Sequence, residues 1–547
     1  MKIVIVVLFS FFSVFGQSDF GNSIEYKITP VKKSDRTDLS ISVKLKPNAS
    51  EPLTVKLLTG CYGTPNLYKY ITLFEGEEGT SVAKSEREIE RAVTPNENGE
   101  ISIKYVISFD PGKMENSAFA PKIHQDYFSV AGCQWLLHFG DDGEKRDVSI
   151  EIVDAPEDWN LHSSLGKNAK KIKLRASYRD ILASRLGGGG DFHTFYVKNR
   201  PVSVFVKGNF DIPKTEIFSA VEKIVRLQRD WFGDYDQPFY QVVINERKSV
   251  IAGTAIKNQF VCFVRPDVDK NSLNKILAHE MFHNWLPIKM RIIRPEGDRQ
   301  VRHEWFFEGF TEYFAKKVLF DAGLLSPEEF ARLINSDIHS LADNPYKRIA
   351  YQDLLELAKA RKFTSTHKKL SYFRGVVIAL KWETALRRTG KNLSQFTRDL
   401  FKLASKKNGE ITEEEFLSFA MDRGVDAKAD FEKYILEGKP IRLEPNDLGA
   451  GFTSVERSVP SFDPGFSLRE SRLTKKISGV EKNSIAFNAG LRNGMEFVSA
   501  RNAGRFSNSW NAEKPLTVVV RENGAEKKLE YFPRGKPIRI LQFQPKK

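Results

Sequence analysis

The chain has 547 residues, a net charge of +14 from 84 Lys plus Arg against 70 Asp plus Glu, and 41% hydrophobic residues. At one domain per about 150 residues that length suits three or four domains, and the composition excludes long disorder, collagen-like repeats and coiled coil. The basic residues are interleaved with acids rather than collected in blocks, and no recognition module accompanies them, so nucleic acid is not an expected partner.

The chain opens with Lys2 and an apolar run from Ile3 to Phe15, followed by Gly16 and Gln17. A short positive start, a hydrophobic centre and a small residue near the cut read as a secretory signal peptide over residues 1–16. The run is too short to cross a hydrocarbon core of about 30 Å. The mature chain is therefore expected to be secreted or periplasmic and without a membrane span. Cys61, Cys133 and Cys262 make an odd count. Two readings stand open: a Cys61–Cys133 disulfide, suited to an oxidising compartment, or three buried thiols.

Residues 17–207 read as an antiparallel β domain. Segments such as DLSISVKLKP, GEISIKYVISF and RDVSIEIV alternate apolar and polar residues between turn signals. Gly187 to Gly190 lack a following Lys-Ser/Thr, so they read as a hairpin or interdomain turn rather than a phosphate loop. From residue 208 the period changes. Apolar positions three and four apart predict helices over 214–231, 271–285, 304–322, 326–342, 372–388, 393–405 and 412–422, with short strands at QPFYQVVIN and QFVCFV. Residues 208–447 are thus a mostly helical domain. Short strands return in a third domain, 448–547, giving a multidomain α+β chain.

The segment NKILAHEMFHNWLP carries the chemistry. His279 and His283 are four apart, so a helix stacks them on one face and both imidazoles can converge on one Zn²⁺. Glu280 lies beside them, placed to take a proton from an attacking water. Zinc catalysis needs a third protein ligand and one open position. The next helix, HEWFFEGFTEYFAKKV, offers Glu308 as that ligand, with Glu312 one turn further to orient an imidazole. His303 and Glu304 could also ligate but fall at the helix entrance. Two His and one Glu leave a position open, which argues against a purely structural site.

The run H-E-x-x-H, Trp285, Arg294-Pro295 and W-F-F-E-G-F-T-E-Y resembles the gluzincin metallopeptidases, and more closely the glycyl aminopeptidase family. That resemblance spans nearly the whole mature chain and is strongest over 276–315. It implies an N-terminal β domain, a thermolysin-like zinc catalytic domain and a C-terminal PDZ domain. It also implies Zn²⁺ at His279, His283 and Glu308, and Glu280 as general base. Tyr372-Phe373-Arg374-Gly375 is similar to a Y-x-K-G segment whose tyrosine stabilises the oxyanion, which singles out Tyr372. The family commonly carries a G-G-L-E-H-like segment whose acid holds the substrate's free amino group. Here the corresponding stretch is Ala252-Gly253-Thr254-Ala255-Ile256, with Ala255 in place of that acid.

ISGVEKNSIAFNAGLRNGMEFVSARN resembles a PDZ segment, with Met495 where Asp is usual and Arg501-Asn502 in place of Asn-Gly. The resemblance implies capture of an extended C-terminal peptide at a sheet edge, with Pro464-Gly465-Phe466 as the carboxylate loop. The expected activity is a secreted zinc metallopeptidase acting on peptides or proteins, aminopeptidase-like but without the amino-terminus anchor. The alternative is a non-catalytic peptide-binding protein that keeps the fold and the PDZ-like module.

Overall fold

The computed structural model describes residues 20–546, apart from 48–50, 62–63, 115–118, 141–142, 249–250, 294–301, 361, 503–511, 513 and 523. The signal-peptide reading and the Arg294-Pro295 pair lie outside the described residues. The chain divides into two compact units. One runs to Asn209 and adds Gln237–Ser249 and Ile256–Pro266; the other comprises Phe210–Asp236, Val250–Ala255 and Asp267–Lys547.

The first unit is built on a six-stranded sheet whose strands alternate as their sequences do. In Thr37–Pro47 the residues Leu39, Ile41, Val43 and Leu45 are buried, and their partners in Ile101–Ile107 point the same way. Period-two burial fixes the register, because a one-residue slip would turn every apolar side chain to water. The core beneath them includes Trp135, met edge-on by Tyr26, while the Tyr105 hydroxyl donates to the Trp135 carbonyl at 2.7 Å. Strands Asp191–Val197, Arg200–Lys207, Tyr240–Glu246 and Gln259–Val264 are hydrogen-bonded in that order.

The glycine run is not a turn. Gly187 and Gly188 lie in the buried strand Arg185–Gly189, paired with Tyr127–Ala131 and Leu161–Ser163. A Cβ at Gly187 would come within 2.3 Å of the Phe128 carbonyl oxygen and 2.5 Å of His162 Nε2, so the glycine permits close approach rather than flexibility.

Cys61 and Cys133 form a disulfide with Cα atoms 5.9 Å apart, and Cys262 is a buried free thiol. The bridge spans a sequence separation of 72, for which loop-closure entropy gives about 4 kcal/mol. Cys61→Ser is expected to lower the unfolding free energy of the first unit by about 2–5 kcal/mol, measured by denaturant titration. An unchanged midpoint would mean that the bridge adds nothing.

The second unit is mainly helical. Helix Lys214–Phe232 presents Ile217, Val221, Ile224 and Val225 to the interior, and Gln228 donates to the Ala278 carbonyl at 2.7 Å, tying it to helix Lys270–Phe282. Asp269 caps that second helix through the Ser272 amide. Trp305–Phe310 is π-helical and runs directly into the α-helix Thr311–Asp321. Among the described residues no helix is long and apolar enough to cross a membrane.

Toward the C-terminus, three antiparallel strands, Glu496–Asn502, Leu516–Glu522 and Ala525–Tyr531, cover a small core of Phe466, Ile477, Ala486, Leu491, Phe497 and Val518. Pro464-Gly465-Phe466 leads straight into helix Leu468–Thr474 rather than a strand. Gly465 adopts a φ of +73°, and its amide donates to Asp463 Oδ1 at 2.8 Å.

Candidate metal centre

Helix Lys270–Phe282 ends on His283, which keeps helical backbone angles and donates its amide to the His279 carbonyl at 3.3 Å. The four-residue spacing therefore stacks the two rings as the sequence implies. Their Nε2 atoms are 3.1 Å apart. Glu308 Oε2 lies 3.4 Å from His279 Nε2 and 3.5 Å from His283 Nε2. All three donor atoms fall within 4.8 Å of one another.

These distances fit a bound cation. Metal–ligand bonds of about 2.0–2.1 Å in a tetrahedron place neighbouring donors about 3.3 Å apart. Each imidazole also has its other nitrogen spoken for. His279 Nδ1 sits 3.1 Å from Glu312 Oε2, and His283 Nδ1 is 2.8 Å from the Leu286 carbonyl oxygen. Because both partners accept, each ring carries its proton on Nδ1 and aims an Nε2 lone pair inward. Glu308 Oε2 is buried and makes no hydrogen bond among the described residues. Two imidazole nitrogens and a carboxylate oxygen converging at this spacing form a donor set that suits Zn²⁺.

Glu312 is itself held in place. Its Oε1 accepts from Lys316 Nζ at 2.7 Å and Lys275 Nζ at 3.3 Å, while Lys316 also meets Asp337 Oδ2 at 2.7 Å. Burial alone would raise the Glu312 carboxyl, but Lys275 and Lys316 hold it well below the usual carboxylate range. Lys316 stands four residues after Glu312, a spacing visible in the sequence; Asp337 comes from a different helix and has no such signal.

Glu280 is almost fully buried, and its Oε2 has no hydrogen-bond partner among the described residues. Burial raises its carboxyl above the ordinary value, against the two imidazoles, which lower it. Gly253 sits directly on this side chain: a Cβ there would come within 2.4 Å of Glu280 Cδ. Strand Ala252–Ile256 therefore lies along the site, and it brings no carboxylate.

Tyr372 reaches the same centre from helix Ser365–Arg388. Its ring is parallel to that of His279, with centroids 6.1 Å apart. Burial, then the charge and hydrogen bonding of the Glu308 carboxylate, raise its phenol well above the ordinary value. Two glycines allow this approach. A Cβ at Gly309 would lie 2.4 Å from Gly375 Cα, and one at Gly375 would lie 1.9 Å from the Trp305 carbonyl oxygen. The residue after Glu308 and the residue three after Tyr372 thus let two helix backbones touch.

The structure therefore brings together His279, His283, Glu308, Glu312, Glu280 and Tyr372. His303 is turned away, with Nε2 2.7 Å from Glu413 Oε2. Phe466 belongs to the small C-terminal core described above, and the half-buried Pro464 before it accepts from the Tyr531 hydroxyl through its carbonyl at 2.6 Å.

Residues 272–375 match the family model of the M61 glycyl aminopeptidases. The chain is similar in structure to the aminopeptidase N family protein from Idiomarina loihiensis, with a TM-score of 0.69 at 15% identity. That match covers 95% of this chain and 98% of the other. The two share a fold. Weaker likenesses are to the M1 zinc metallopeptidase from Deinococcus radiodurans (TM-score 0.46, 13% identity, 78% of this chain and 95% of that one) and to yeast LTA4 hydrolase (0.44, 14%, 78% and 69%). No curated protein matches the sequence significantly.

Proposed function

We propose, from the match of residues 272–375 to the glycyl aminopeptidase family model, that this chain is an exported zinc-dependent peptidase. The observation that carries the reading is the convergence of His279, His283 and Glu308 at 3.1–3.5 Å beside a buried, unpartnered Glu280 oxygen. Bound by those three donors, Zn²⁺ would polarise the scissile carbonyl and lower the pKa of water toward about 7. Glu280 takes the proton of the attacking water and passes it to the departing amine. The Tyr372 hydroxyl donates to the oxygen that gains charge as the carbonyl becomes tetrahedral. Glu312 fixes the His279 tautomer and ring orientation. The apolar leader of residues 1–16 and the Cys61–Cys133 bridge support export.

Ala255 stands where the resembling family has the acid that grips a free amino group, so the reading extends to peptides without one. N-acetylated peptides are expected to be cut with a kcat/KM within about tenfold of their free-amine counterparts, because no dedicated ion pair is lost on acetylation. A preference of about a thousandfold for the free amine would overturn this part of the reading. A peptide-binding protein without turnover is the second reading, favoured by the missing acid and by the PDZ-like resemblance of the C-terminal segment. It predicts no hydrolysis of either peptide.

A further inference from the structure

The helix that supplies Tyr372 begins with an unusual distribution of charge. Ser365–Arg388 has no acid in its first turn, although the positive end of a helix favours one. Lys368 closes that turn instead and Lys369 follows it. Local helix electrostatics disfavour this arrangement, and departures of that kind are expected where a site needs them.

Lys369 reaches inward. Its ammonium lies 4.2 Å from the centre of the Tyr372 ring, and it feels the charges of Glu312 and Glu308. Among the described residues it forms no ion pair and no hydrogen bond. Glu312 is already engaged by Lys275, Lys316 and His279, and Glu308 faces the two imidazole Nε2 atoms of the candidate metal centre. Lys368, exposed on the same turn, acts electrostatically on Glu280. A partly desolvated ammonium without a counter-ion is costly unless an anion arrives to pair with it. The strand against Glu280 offers Ala255 and no acid. This wall of the site therefore presents a positive group, while the strand itself brings no acid to hold an ammonium.

We infer that Lys368 and Lys369 form a carboxylate-binding subsite beside Tyr372, which selects peptides carrying a carboxylate next to the scissile bond. The inference rests on the peptidase reading for its substrate. The carboxylate is either an acidic side chain or the peptide's own C-terminus, and both present the same chemistry to the two ammonium groups.

The test compares N-acetylated peptides that differ only by Glu against Gln beside the scissile bond, and a second pair that differs only by a free or amidated C-terminus. The wild-type zinc enzyme is expected to favour the carboxylate member of at least one pair by about tenfold or more in kcat/KM, and added salt should shrink the ratio. Whichever pair responds identifies the source of the carboxylate. Lys369→Gln and Lys368→Gln, singly and together, are expected to bring that ratio toward one, whereas Lys369→Arg retains it. A lysine that merely supports Tyr372 would change turnover of both members equally and leave the ratio untouched; that result would overturn the inference, as would ratios near one in the wild type. Affinities of the same peptides for zinc-loaded Glu280→Gln separate the two levels. Tighter binding of the carboxylate member without wild-type turnover would support the subsite and sink the peptidase reading. Equal binding together with equal or absent turnover would sink the subsite.

Discussion

Glu280→Gln is expected to retain zinc and fold normally while losing about 10²–10⁴-fold in kcat/KM, the usual contribution of a positioned proton-transfer group, or about 3–5 kcal/mol of transition-state stabilisation. Gln keeps the volume of Glu in a pocket where Gly253 already touches the side chain, so repacking is minimal. What it cannot do is accept a proton. The three proposed ligands are separate side chains and stay in place, since neither imidazole uses Glu280 to fix its tautomer. The loss should appear in kcat rather than KM, because the proton moves only as the bond is attacked and broken. Peptide turnover equal to wild type would remove Glu280 from the chemistry.

Tyr372→Phe is expected to cost about 10²–10³-fold in kcat, the range found when one donor to a developing oxyanion is removed. The substitution keeps the ring parallel to His279 and the contact with Lys369, so it deletes a hydroxyl and little else. Zinc content should be unchanged. The raised phenol pKa keeps the hydroxyl protonated at neutral pH and available to donate. A kcat within threefold of wild type would mean that the hydroxyl lies near the centre without serving it.

Much of this centre was legible in the sequence because it is helical and local. The His279–His283 spacing needs one turn of helix, and Glu308 with Glu312 needs one more. A period of 3.6 residues converts the histidine spacing into a face, and the π-helical turn at Trp305–Phe310 still leaves Glu308 and Glu312 both reaching His279. Tyr372 was less accessible. The apolar pattern places a helix start at 372, but the helix begins at Ser365, after Thr364, whose amide meets His367 Nδ1 at 2.9 Å. Lys368 and Lys369 interrupt the amphipathic pattern, which hides those first two turns. Helix Tyr351–Lys359, absent from the expected elements, begins without a side-chain cap, and so lacks that start signal.

The glycines carried a different kind of information. Gly187 lies in a tightly paired strand, and Gly309 and Gly375 at a crossing of two helices; in each case the requirement is room for a neighbouring backbone, set by elements far away in the chain. Composition cannot separate that need from a turn. The network through Lys275, Lys316 and Asp337 draws on three helices in the same way, so of its members only the Glu312–Lys316 spacing is local.

Elemental analysis of the purified chain tests the central claim most directly, with wild type and Glu308→Ala prepared side by side in zinc-replete medium. One zinc per wild-type chain is expected, falling well below one in the variant as the third donor is lost. Wild type without zinc, or Glu308→Ala with a full complement, would contradict a centre built on His279, His283 and Glu308.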